Sequence, residues 1–177
     1  NQMETNTPLI ALMGNPNSGK TAIFNLLTGM NQKVSNYPGI TVEKRKGTTL
    51  LAQNTQAEIL DMPGTYSLTP ESLDEKIVAQ QVLDWMQEKE KPSAIISVVD
   101  AGNLSRNLYL TSQILDLDIP VIVALNMMDR VKRKNQDINC QALKKMLGAA
   151  SVVPMSAREK WGIKELQQEL TVIVQNK

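Results

Sequence analysis

The chain has 177 residues, 42% of them apolar, which is enough for one domain with a buried core and no disulfide or metal staple. Nineteen Lys and Arg against eighteen Asp and Glu leave a formal charge of +1, short of the basic profile of a dedicated nucleic-acid binder. The absence of histidine excludes Ser-His-Asp triads and imidazole metal ligands. The single cysteine, Cys140, excludes an internal disulfide or a thiolate zinc cage, and a reducing compartment is expected.

In chain order, Asn1 to Thr7 are polar, lack the pattern of a secretory leader and read as a frayed end ahead of a domain over residues 8–177. The apolar run Leu9 to Met13 predicts a buried strand, and Ile23, Leu26 and Leu27 lie at helical spacing after it. Thr41 to Leu51, with alternating charge and Thr, predicts an exposed edge strand. A strand is expected around Ile59 and Leu60, then a helix through Ile77, Val78, Val82, Trp85 and Met86 whose end is Glu88-Lys89-Glu90-Lys91. Ala94 to Val99, Val121 to Leu125 and Ser151 to Pro154 predict further strands. Between and after them Leu108 to Leu115, Leu143 with Leu147, and Ile163 to Ile173 predict helices. No apolar run reaches the roughly 18 residues that span a bilayer. Alternating strand and helix imply an α/β, doubly wound fold: a mostly parallel central sheet with helices on both faces and the ligand beyond the carboxyl ends of the strands.

The first predicted strand runs into Gly14-Asn15-Pro16-Asn17-Ser18-Gly19-Lys20-Thr21, the G-x-x-x-x-G-K-[ST] phosphate loop, between strand and helix as that motif requires. Glycines at 14 and 19 let the backbone N–H groups wrap phosphate oxygens without obstruction from a Cβ. Lys20 is expected to neutralise the terminal phosphates and Thr21 to offer its hydroxyl to Mg²⁺. Ala22 lies in the helix turn beneath the phosphates. Asn126-Met127-Met128-Asp129 and Ser156-Ala157 follow two later strands, where a base would lie, and together they resemble the guanine-recognition elements of P-loop GTPases. Guanine presents two adjacent N–H donors that one carboxylate, Asp129, can accept, and adenine has no such pair. Asn126 would brace the pocket and contact N7, the Ala157 N–H would meet O6, and the Met127 thioether would cover the base face.

Asp61-Met62-Pro63-Gly64 gives the D-x-x-G pattern: Asp61 would hold Mg²⁺ through a water and the Gly64 N–H would approach the γ-phosphate. Upstream, Pro38-Gly39-Ile40-Thr41-Val42-Glu43 lies in the Asn31 to Lys44 connection, with Gly39 and Ile40 beside the nucleotide and Thr41 as the hydroxyl completing the Mg²⁺ shell. Both segments touch the phosphate that hydrolysis removes, so both are expected to act as switches. In order, these elements predict a P-loop GTPase of Ras-like fold.

The elements resemble translation-factor-type GTPases broadly, and a narrower family more closely. The phosphate loop, Asn36 to Glu43, Pro63 to Leu68, Asp100-Ala101-Gly102-Asn103-Leu104-Ser105-Arg106-Asn107-Leu108, and Asn126 to Asp129 together look like the FeoB family of bacterial ferrous-iron transporters. Met in place of the usual Lys at 127 is ordinary in that family. The resemblance covers nearly Pro8 to Gln175. It implies a cytosolic GTP-binding and GTP-hydrolysing domain at the cytoplasmic side of the bacterial inner membrane. The partners implied are the family's helical domain and membrane portion and, through the switches, a second copy, but no nucleic acid. A ribosome- or tRNA-associated GTPase, or a docking module with incidental turnover, is the alternative.

Where Ras-like enzymes carry a water-orienting glutamine after D-x-x-G, this chain has Thr65, so slow intrinsic hydrolysis is expected. The resemblance implies that Asn17 binds K⁺ beside the phosphates, where the cation would stabilise charge developing in the transition state. The catalytic set is therefore Lys20, Asn17, Thr41 and Gly64, with Thr21, Thr41 and Asp61 for Mg²⁺ and Asn17 for K⁺. Lys44-Arg45-Lys46 and Arg130-Val131-Lys132-Arg133-Lys134 read as solvated faces, Trp85 and Trp161 as packing residues, and Cys140 as inert.

Overall fold

A computed structural model describes residues 7–87 and 91–176. Residues 1–6 of the expected frayed end and 88–90 of the expected helix end lie outside the described residues. The elements alternate as β1 (Leu9–Gly14), α1 (Lys20–Thr28), β2 (Gln32–Asn36), β3 (Glu43–Leu50), β4 (Gln56–Asp61), α2 (Leu73–Gln87), β5 (Ala94–Asp100), α3 (Leu104–Leu115), β6 (Val121–Asn126), α4 (Met128–Arg133), α5 (Cys140–Leu147), β7 (Ser151–Pro154) and α6 (Ile163–Gln175). A short 3₁₀ turn, Ala52–Asn54, joins β3 to β4.

One sheet runs β2-β3-β4-β1-β5-β6-β7, antiparallel at β2–β3 and β3–β4 and parallel elsewhere. The parallel strands read as apolar runs because both of their faces are covered. Along β1, Ile10 and Leu12 join Phe24, Leu166 and Leu170 under α1 and α6, whereas Ala11 and Met13 join Val78, Trp85, Leu110 and Ile114 under α2 and α3. A third cluster packs Val123 and Leu125 against Met128, Val131 and Leu143.

The expected edge strand over Thr41 to Leu51 is corrected: β3 lies inside the sheet, and β2 is the edge. β2 escaped the sequence pattern because it is exposed along nearly its whole length and Val34 is its one apolar residue, so burial leaves no alternation. The short helix α4 was missed for a related reason, since it begins inside the base motif and ends in the basic run. Two of the four cations in that run meet partners within the chain. The Lys132 ammonium sits 4.6 Å from the centroid of the Trp161 ring, and Arg133 approaches Asp129 and Glu159. Trp85 is buried in the core. Burial, then the charge of Asp137, pushes the Cys140 thiol up, which keeps it protonated.

Candidate functional site

At the end of β1 the chain turns sharply: the Ser18 N–H donates to the Asn15 carbonyl, and Asn17 (φ 66°) and Gly19 (φ 88°) take left-handed conformations. Gly19 ends the loop as the residue before α1, which carries no acidic residue in its first turn and no side-chain cap. The helix start therefore presents its N–H groups and positive dipole end to an anion. A Cβ on Gly19 would fall 2.2 Å from the Asn126 amide nitrogen, and one on Gly14 would fall 2.9 Å from Val98 O and Ser18 Oγ. Glycine is thus required by close approach at both positions.

Lys20 is buried, and its ammonium pairs with Asp61 Oδ1 at the end of β4. The other oxygen of Asp61 accepts from the Thr21 hydroxyl at 3.5 Å. A hydroxyl and a carboxylate oxygen so placed make a hard donor set that suits Mg²⁺. A cavity of about 560 Å³ opens beside them, walled by Lys20, Thr21, Thr41, Asp61, Met62, Pro63 and Gly64. A contiguous cavity of about 370 Å³ is walled by Asn15, Pro16, Asn17, Gly19, Lys20, Thr21, Ala22 and Gly64. The two cavities share Lys20, Thr21 and Gly64 and between them gather the phosphate-side residues expected from the sequence, apart from Gly14, Ser18, Gly39 and Ile40. Gly39, exposed, and Ile40, half-buried, lie at the tip of the β2–β3 hairpin, which the Tyr37 N–H closes by donating to the Val42 carbonyl. The Asn17 amide offers an oxygen of the kind a monovalent cation takes, on the wall it shares with Lys20 and Thr21.

The base side is built differently. Asn126 ends β6 with both ends of its amide engaged, Nδ2 donating to the Ser18 carbonyl at 2.9 Å and Oδ1 accepting from the Ala157 N–H at 3.0 Å. Ala157 was expected to meet guanine O6, whereas here its N–H meets Asn126. The brace also joins the phosphate loop to the base loops, which are otherwise remote along the chain. Met127 is left-handed (φ 64°), and its terminal methyl carbon lies 3.7 Å from where a Cβ on Gly19 would be, so the thioether reaches over the phosphate loop. Asp129 is buried, with Oδ1 accepting from the Ser156 hydroxyl at 3.0 Å and Oδ2 facing Arg133 at 3.4 Å. Each carboxylate oxygen has a second lone pair, so the pair of guanine donors can still be accepted.

Two features escaped the sequence reading. Thr65 is buried, and its hydroxyl lies 2.7 Å from the Ser67 carbonyl and 2.8 Å from the Glu75 carboxylate, with one proton to share. Glu75 also accepts from the Tyr66 N–H. These hydrogen bonds, the Thr65 hydroxyl first, hold the Glu75 carboxyl below the usual carboxylate range against a smaller opposing effect of burial. A signal was present in Ser72-Leu73-Asp74-Glu75, a capping box in which the Glu75 N–H donates to Ser72 Oγ. The second feature is Tyr37, whose buried hydroxyl has no hydrogen-bond partner among the described residues. Burial, then the charge of Asp61, pushes its phenol up to about 12.

Comparison with known proteins identifies the family. Residues 8–170 match the family described as ferrous iron transport protein B. The chain is 48% identical over 163 residues to the Fe(2+) transporter FeoB of Legionella pneumophila (strain Paris), covering 90% of this chain and 21% of that protein. The chain therefore spans about a fifth of the length of that curated relative. Among solved structures, the cytosolic domain of L. pneumophila FeoB superposes with a TM-score of 0.85 at 47% identity, over 93% of this chain and 63% of that one. A GDP-bound mutant of S. thermophilus NFeoB superposes with a TM-score of 0.83 at 43% identity, over 92% and 61%. With a mostly parallel seven-stranded sheet that superposes on those solved structures and a family match over residues 8–170, the chain belongs to the FeoB family and has the P-loop GTPase fold.

Proposed function

We propose that the chain, residues 8–177 as one G domain, binds GTP and hydrolyses it slowly to GDP and phosphate on the cytoplasmic side of a bacterial inner membrane, as part of a ferrous-iron transporter. The observation that carries this reading is the Asn126 brace. One side chain ties the phosphate loop at Ser18 to the base loop at Ala157, so a purine nucleotide is held at both ends by one frame. Asp129 selects guanine, and Lys20, the loop N–H groups and the α1 dipole hold the phosphates.

Thr21 and Asp61, with Thr41 once its hairpin closes, would hold Mg²⁺, which when bound neutralises phosphate charge. Asn17 would hold K⁺ beside the same phosphates. Gly64 brings its N–H to the γ-phosphate, and Lys20 must leave Asp61 to reach that phosphate. Slow turnover follows from Thr65, whose hydroxyl is held by Glu75 and Ser67 and so has no free proton to align a water. Loss of the γ-phosphate would release Thr41 and Gly64, and the two switches would carry that change to the helical and membrane portions of the transporter or to a second copy.

Binding of guanine against adenine nucleotides by the purified domain in magnesium buffer tests the reading. Guanine preference should disappear in Asp129→Asn, and equal affinity for both bases in the unmodified domain would refute it. Turnover should be higher in K⁺ than in Na⁺ and lose that difference in Asn17→Ala. For the transport role, full-length protein carrying Lys20→Ala should fail to take up Fe²⁺.

A further inference from the structure

The segment Asp100 to Leu108 supports the family resemblance, yet the nucleotide chemistry above leaves it unused. Its polar residues build a braced turn between β5 and α3. The Gly102 N–H donates to Asp100 Oδ1 at 2.8 Å, Asn107 Oδ1 accepts from the Asp100 N–H, and Asn107 Nδ2 donates to the Asn103 carbonyl. That turn fixes where α3 begins and so where Arg106 stands.

Arg106 meets the site from two directions. Its carbonyl accepts from Asn15 Nδ2 of the phosphate loop at 3.4 Å, and its guanidinium lies 4.5 Å from the centroid of the Tyr66 ring, two residues after Gly64. Seven residues along α3, on the same face of the helix, Gln113 Oε1 accepts from the Leu68 N–H at 2.7 Å. The chain that leaves Gly64 is therefore clasped to α3 at two points, two helical turns apart. A polar pocket of about 110 Å³ lies between the phosphate loop, Tyr66 and the start of α3. The Asn15 side-chain oxygen on its wall is buried and has no partner among the described residues, so the amide is held through its nitrogen alone.

We propose that Arg106 is a positioning residue for hydrolysis: by stacking on Tyr66 while its backbone holds Asn15, it sets the segment that carries Gly64 against the phosphate loop. This inference rests on the GTPase reading above. Arg106 touches no phosphate in it. The guanidinium offers Tyr66 a flat cation that a lysine ammonium replaces in part and an alanine not at all.

The test combines amide hydrogen exchange of residues 65–69 with steady-state GTP hydrolysis, in Arg106→Ala, Arg106→Lys, Tyr66→Ala and the double variant. In Arg106→Ala, exchange at 66–69 should rise and kcat should fall, each by about two- to five-fold, the range expected of an exposed cation–π contact, while KM for GTP stays unchanged. Arg106→Lys should recover most of both effects, and the double variant should be no worse than Tyr66→Ala alone. Wild-type exchange and kcat in Arg106→Ala, or additive losses in the double variant, would overturn the proposal. If the unmodified domain showed no GTP turnover, the functional reading would fall and the catalytic consequence with it. Faster exchange in Arg106→Ala would even then establish the clasp.

Discussion

The two ends of the proposed nucleotide site are made of different material. The base end stands at the ends of β6 and of β7, the edge strand opposite β2, where Asn126, Asp129, Ser156 and Ala157 are all buried and all hydrogen-bonded. Backbone bonds tie its loops together as well: the Met128 N–H donates to Met155, and the Ala101 N–H donates to Asn126. The phosphate end is half rigid and half loose. Its phosphate loop shares the base end's frame through Ser18, whereas Thr41 hangs from an edge hairpin closed at its tip by the Tyr37–Val42 backbone bond. The comparison teaches that the residues proposed to recognise a base are the densely hydrogen-bonded ones, and that the residue proposed to report a lost phosphate sits where few contacts resist movement.

The sharpest way to break this contrast is Asn126→Ala. It leaves the Ser18 carbonyl and the Ala157 N–H buried without their partner and should lower the stability of the domain by about 2–4 kcal/mol. Denaturant unfolding reads the loss, and nucleotide affinity should fall with it because both ends lose their common tie. A fully stable Asn126→Ala domain would show that the two halves are held independently.

A smaller effect is expected on the loose side, at Glu75. Its carboxyl is held low by the Thr65 hydroxyl and the Tyr66 N–H, so its stabilising contribution is complete above the ordinary carboxylate range and is lost as pH falls through the depressed folded value. Protection of the Tyr66 amide should therefore exceed that of Glu75→Gln at neutral pH, and the gap should close in acid. A gap that persists unchanged in acid would mean the charge of Glu75 plays no part. The smallest effect belongs to Tyr37→Phe, which removes a buried hydroxyl that has no hydrogen-bond partner among the described residues. Stability should stay within about 1 kcal/mol, with a melting temperature equal or higher. A clear loss would place that hydroxyl in a contact that holds the hairpin down.

The elements that carry an apolar signature, β1, β5, β6 and β7 with the helices over them apart from α4, could be read from spacing alone because burial writes itself into composition. The polar edge strand β2 could not, since exposed positions carry no such constraint. The site divides in the same way. The phosphate loop, the D-x-x-G segment and the base motifs are contiguous, so backbone requirements within a few residues spell out the chemistry of Gly14 to Thr21, Asp61 to Gly64 and Asn126 to Asp129. The Glu75–Thr65 bond lay half within reach through the capping box at Ser72.

What the sequence by itself determined was which chemical groups this protein brings to its candidate site, because the phosphate-loop motif admits few residues at each position. The tertiary structure alone decided how those groups are tied to one another: Asn126 to Ser18, 108 positions apart, Lys20 to Asp61, and Arg106 to Tyr66 and Asn15. Such pairings arise from the order in which strands sit in the sheet, and strand order is a choice among packings that local spacing does not encode.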